Sequence, residues 1–238
     1  MAEEFKLKWD QTGEKLYETG VDRGVLYPQV SGAYPKGVAW NGLTGVTESP
    51  SGAEASPFYA DNSKYLNLMS AEDMGVTITA YMYPDEFGEC NGEKEVAPGV
   101  VVGQQTHKPF GMCYRTIIGN DTESNDHGYK LHLLYGAQTS PAERAYATVN
   151  DSPEPIEFSW DAATTPVEVP GCKKTALLTI DSTKVDSVKL ASLEAILYGS
   201  GETEARLPLP KEVAELFKAA ASTDPAGSDP AGSEVAAG

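Results

Sequence analysis

Apolar and polar positions alternate most regularly between Pro109 and Gly136. Tyr114, Thr116 and Ile118 interleave with Cys113, Arg115 and Ile117, and after a polar interval Leu131, Leu133 and Tyr135 interleave with Lys130, His132 and Leu134. A period of two in β-branched and aromatic residues predicts strands, because successive side chains point to opposite faces. The interval Gly119–Gly128 is rich in turn formers, so the two strands should make a β-hairpin with a long polar tip. Further strands are expected at Val25–Tyr27, Ala39–Trp40 with Leu43–Thr47, Tyr65–Met69, Val76–Met82, Val100–Val102, Ile156–Trp160 and Ala176–Ile180. Gly20–Gly24 reads as a turn, and Pro84–Phe87 as the first turn of a short helix. Helical spacing comes late. Leu190, Leu193 and Leu197 predict a helix near 183–198, capped by Asp181 or Ser182 and closed by Gly199. A second is expected from Pro210 to about Ala220, with Val213, Leu216, Phe217 and Ala220 as its apolar stripe.

Two stretches break the pattern. Glu48–Pro57 is small, polar and proline-containing, which predicts a long loop from Gly45 to Asn62 anchored by Phe58 and Tyr59. Beyond Ala221 the pentapeptide Asp-Pro-Ala-Gly-Ser occurs twice, a composition that as a free chain has too little apolar surface to offset ordering entropy. At the other end, Phe5, Leu7 and Trp9 alternate with Lys6 and Lys8, as in an extended arm. The organisation read from the sequence is therefore an arm and first strand (1–24), a β domain with two helices (25–220) and a disordered tail (221–238).

With 23 Gly and 16 Pro in 238 residues, turns should be frequent, as many short strands require. No run approaches the roughly 18 apolar residues of a membrane span, and the charged start MAEEFKLKWD lacks the apolar core of a signal peptide, so synthesis in a cytoplasm is expected. Cys90, Cys113 and Cys172 are odd in number and form no CxxC pair, so buried, reduced thiols are expected. The net charge is −17, and Ala145–Cys172 contains no Lys or Arg, which argues against tight binding of nucleic acid.

The common catalytic and nucleotide-binding motifs GxSxG, GxGxxG, HExxH and the P-loop are absent. His107, His127 and His132 show no motif that would make them catalytic. Asp121, Glu123 and Asn125 have the spacing that opens a calcium loop, but Asp126 stands where glycine is needed and His132 where a bidentate Glu is needed. No enzyme activity, cofactor or metal is expected.

Whole phrases of the chain, in order, resemble the major tail proteins of long-tailed phages that infect Gram-positive bacteria. They include WNGLTGVTESPSGAE, FYADNSKY, AYMYPDEFGECNG, GQQTHKPFG, YRTIIGNDT, GYKLHLLYG, NDSPEPIEFSW, LEAILYG and LPLPKEV, spanning about Val25 to Leu216. The resemblance implies a β-sandwich of two packed sheets flanked by an α-helix. It also implies hexameric rings whose sheets join into a barrel and which stack into a tail tube, a virion structure that conducts DNA to the host. Self-association, with tape measure, tail terminator and distal tail or baseplate proteins as further partners, follows from the same source. So does an inter-ring role for the long loop, with Glu48, Pro50, Glu54, Phe58, Tyr59 and Asp61 as candidate self-assembly contacts. Six subunits at −17 would give a ring of roughly −100, partly screened beyond a Debye length, and an acidic lumen would let DNA pass without tight binding. The alternatives are another virion role (decoration or tail completion) and a secreted sugar-binding β-sandwich or hydrolase. The two ends of the chain carry no pattern of that family.

Overall fold

The computed structural model of the chain describes residues 7–149, 151 and 154–218. Its elements are, in order, β1 (Tyr17–Pro28), β2 (Val38–Ala39), β3 (Leu43–Gly52), β4 (Ala55–Ala60), β5 (Ser63–Met69), β6 (Glu72–Ala80), α1 (Phe87–Cys90), β7 (Lys94–Ala97), β8 (Val100–Val102), β9 (Phe110–Asn120), β10 (Ser124–Thr139), β11 (Phe158–Thr164), β12 (Leu177–Asp181), α2 (Ser187–Tyr198) and α3 (Pro210–Phe217). The fold is mainly β, with an eight-stranded antiparallel sheet in the order β2-β1-β9-β10-β11-β6-β3, and β12 also paired to β10.

Strand β10 makes this one sheet into two layers. Along one edge it pairs with β9 as far as Ala137, while along the other Lys130–Leu134 pair with β12 and Ala137–Thr139 with β11. Between these parts sits Gly136, at φ +60°, where an added Cβ would lie 2.4 Å from the Thr165 carbonyl oxygen. Only glycine fits that bend. Beyond it, β11-β6-β3 faces one side of β1-β9-β10, and Leu26, Met112, Tyr114, Leu134, Val76, Ile78, Trp160 and Ala162 pack into one core. Trp160 lies against Phe87 (ring centroids 5.1 Å apart) and Trp40 (5.8 Å) within it. The opposite side of the central sheet presents Val25, Tyr27, Cys113, Leu131, Leu133 and Tyr135 to the helices, which bury Leu190, Leu193, Leu197 and Val213 against them. Alternation in β9 and β10 therefore supplies both cores, one from each face.

Several boundaries differ from the sequence reading. Gly20–Gly24 is not a turn: β1 runs through it with two register shifts against β9, and the glycine and polar residues mark bulges. Tyr17–Gly24 thus belong to the β body rather than to an arm. The hairpin between β9 and β10 turns in three residues, Asp121–Glu123, because the Asn120 side chain accepts the backbone N–H groups of Thr122 and Glu123. The strand expected at Ile156–Trp160 begins at Phe158 and ends at Thr164. Helix α2 is capped by Asp186, whose carboxylate accepts N–H bonds from Val188 and Lys189 at 3.0 Å each, not by Asp181 or Ser182. Pro84 precedes α1 in a turn rather than lying in the helix. Cys90 and Cys113 are buried, and burial pushes each thiol up to about 12, whereas Cys172 is exposed, contrary to expectation. The readings made for Phe5, Ala220 and the Asp-Pro-Ala-Gly-Ser tail lie outside the described residues.

Candidate functional site

The stretch expected to be a loop is a β-ribbon. Strands β3 and β6 pair from Leu43↔Ala80 out to Gly52↔Glu72, whereas β11 covers β6 only as far as Ala163↔Gly75. Past that point the ribbon has two strands. It kinks where Gly52 and Ala53 take positive φ (+82° and +55°), then continues as β4 and β5 from Ala55↔Met69 to Ala60↔Ser63. Asp61 and Asn62, at φ +48° and +59°, close it in the two-residue geometry that matches the twist of paired strands. That signal was present in FYADNSKY, although no Asn-Gly marked it.

Among the described residues nothing covers the outer ribbon. Phe58 and its cross-strand partner Leu66 share one face with Leu68, and Tyr59, Tyr65 and Met69 are 71%, 73% and 70% exposed. An isolated two-stranded hairpin is marginally stable at best, and both of its outer edges present unpaired backbone groups. The second small hairpin, β7-β8, is similar, with Val96, Val100, Val101 and Val102 exposed.

The candidate contacts occupy different parts of this ribbon. Phe58 and Tyr59 are on its exposed outer strand, Asp61 is in the turn, Glu54 follows the kink, and Pro50 pairs with Met74 near the root. Glu48 is engaged within its own chain: its Oε1 accepts the Tyr114 hydroxyl at 2.5 Å and lies 3.2 Å from His132 Nδ1. Tyr65, Leu66, Leu68 and Met69 were missed as site residues. Their strand was legible, but its pairing with the segment around Phe58 was not.

The outward face of β3-β6-β11 has a distinct chemistry. Register places Gly45, Thr79 and Ser159 in one row, Thr47, Thr77 and Asp161 in the next, and Ser49, Gly75 and Ala163 in a third. Thr77 donates to Asp161 at 2.6 Å, and Thr44 donates to Glu157 at 2.6 Å beside them. This face is made of small hydroxylated side chains and carboxylates, with no lysine, arginine or large apolar residue among these positions.

The three histidines serve separate networks. His107 Nδ1 meets Thr139 Oγ1 at 2.8 Å, His127 pairs with Glu123 at 2.6 Å, and His132 stacks on Tyr114. At the hairpin tip Asp121 accepts the Gly13 N–H and Asn125 the Tyr17 hydroxyl, so the residues with calcium-loop spacing are held by protein donors. Among the described residues no helix is long and apolar enough to cross a membrane. No family model matches the chain, and no curated protein matches it.

Proposed function

We propose that this protein is a tail-tube subunit of a long-tailed phage, assembling into hexameric rings that stack into the conduit for DNA. The observation that carries the proposal is the uncovered apolar ribbon of β4 and β5, which leaves the β body and ends in a tight turn. A surface of this kind is stabilised when another subunit covers it, and Phe58, Tyr59 and Tyr65 are the aromatic anchors such a contact needs. The ribbon takes the place of the expected inter-ring loop.

The outward face of β3-β6-β11 is the wall of the lumen in this reading. Threonine, serine and aspartate side chains are short and give DNA no cation to hold, and the carboxylates repel phosphates within a Debye length. Joining such sheets around a ring removes the exposed edge at β3. Tape measure, terminator and distal tail proteins would then meet the ends and interior of the tube.

Purified protein should pass from monomers or rings to tubes as its concentration rises, followed by light scattering and electron microscopy. Protein that stays monomeric at every concentration, even with tail components added, would refute the reading.

A further inference from the structure

The small sheet of β7 and β8 pairs with no other strand among the described residues, so each of its strands keeps a free edge. Period-two geometry gives β8 two unlike faces. Val100 and Val102 share one face and are exposed. Val101 points the other way with its cross-strand partner Glu95, and both line a cleft with Pro28, Asp85, Glu86, Glu89 and Glu93. Lys108 pairs with Glu89 and Arg144 with Glu93, whereas Asp85, Glu86 and Glu95 form no ion pair among the described residues. Lys94 is the one cation in the lining.

The start of the chain carries the matching pattern. An extended run there puts Leu7 and Trp9 on one side and Lys8 on the other, and the sequence continues the alternation back through Lys6 and Phe5. Leu7 and Trp9 are exposed, without cover from their own chain among the described residues. Nor can they reach the cleft of their own chain. Gly13 fixes the arm at the β9-β10 turn, where its N–H is accepted by Asp121. The cleft lies by Pro28, which pairs with Phe110 at the other end of β9. Gly119 to Phe110 spans about 30 Å of strand, whereas the stretch from Gly13 to Leu7 reaches at most about 21 Å.

We propose that the arm of one copy adds as a third strand to β8 of a second copy, with Leu7 and Trp9 on Val100 and Val102 and Lys8 over the carboxylates of the cleft. Backbone hydrogen bonds to the free edge supply affinity, and the side chains set the register. A slip of two residues puts Glu4 or Asp10 over Asp85, Glu86 and Glu95, where like charges repel. Arm and cleft lie at opposite ends of the molecule, so the contact is head-to-tail. Such contacts repeat into a closed ring or an open stack rather than stopping at a two-fold dimer. The contact uses no residue of the β4-β5 ribbon, so it holds or fails independently of the tail-tube reading.

Trp9 reports the contact directly. Trp40 and Trp160 are buried and the ribbon has no tryptophan, so emission that changes with concentration comes from the arm. In the full chain, emission should move to shorter wavelength and acrylamide quenching should fall as association proceeds in sedimentation runs. Val100→Thr with Val102→Thr keeps branched strand residues while removing apolar contact, and Glu95→Lys reverses a charge. Each should raise the midpoint of the shift about tenfold or more with an unchanged circular-dichroism spectrum, and either decides the matter should the other fail to fold. Leu7→Ser with Trp9→Ser removes the arm's apolar side but keeps the β8 face. Mixed with the double-threonine variant it should restore the shift, because the remaining Trp9 then docks on an intact face. Trp9 emission that ignores concentration overturns the proposal, whether or not rings or tubes form. So does a shift that a folded β8 variant leaves unchanged, or mixing without recovery. Trp9 shielded by association in protein that never forms tubes would uphold the arm contact and count against the tail tube alone.

Discussion

Arg115 illustrates how single side chains tie this β body together. Its guanidinium grips Asp22 with two bonds, at 2.7 and 2.5 Å, and lies 5.0 Å from the Tyr129 ring centre. The Arg115 bonds hold the Asp22 carboxyl below its ordinary value. A depressed carboxyl contributes stability that is present above the unfolded value of about 3.9 and is lost as pH falls through the depressed one. Asp22→Asn should therefore lower the melting temperature at pH 7, with the gap to the parent protein closing below about pH 4. A gap that stays constant down to pH 2 in circular-dichroism melts would refute this assignment. His132 shows the same linkage in another range. Its ring is also held below its ordinary value by burial, so its contribution to stability is present above about pH 6.5 and lost on acidification. Trp160 acts through volume. It is fully buried among Trp40, Tyr83 and Phe87, so Trp160→Ala should cost about 3–5 kcal/mol in denaturant titrations.

Among the elements, β10 decides the architecture. Its change of partners at Gly136 lets one continuous sheet close over its own core, and Gly136→Ala places a methyl group against the Thr165 carbonyl. That substitution should destabilise by about 2 kcal/mol or more, with α2 still packed on the other face. Native-like stability in the variant would show that the bend relaxes easily. How much of these elements was legible follows from what each residue reports. Leu190, Leu193 and Leu197 repeat at helical spacing and are buried as one stripe, so α2 was readable even though its cap lies further along the chain. The β9-β10 alternation was readable for the same reason. Strand β3 was readable at Leu43–Thr47, but its outer half was not, because Ser49-Pro50-Ser51-Gly52 lacks the branched and aromatic residues that mark strands. It forms because β6 supplies a ladder, and Pro50 is tolerated because β3 is an edge strand. Likewise Gly20 and Asp22 look like a turn in sequence, since bulges and turns use the same residues.

For the whole molecule the question is what covers the ribbon. The body has its own two cores, and neither contains a residue from β4 or β5. Its stability should therefore not depend on Ala55–Met69. Deleting Pro50–Ser56 would not test this cleanly, because Pro50 and Ser51 still pair with β6. A better cut removes Ala53–Ala71 and joins Gly52 to Glu72 through Asn-Gly, since those two residues are already cross-strand partners and the dipeptide closes a two-residue turn. The shortened protein should keep its circular-dichroism spectrum and melt within about 4 °C of the parent, a change of about 1 kcal/mol in a chain of this size. If the parent assembles as proposed, the shortened protein should also remain monomeric, or stop at single rings, at concentrations where the parent would stack. Replacing Phe58, Tyr65 and Leu68 by serine should have the same effect with the ribbon backbone retained, which separates loss of apolar cover from loss of length. Tubes of normal length from both variants would show that the ribbon is an ordinary surface projection and that subunits join elsewhere. An unfolded excision variant beside a folded, tube-forming triple-serine variant would instead make the ribbon part of the subunit's own stability, against the separation of cores described above.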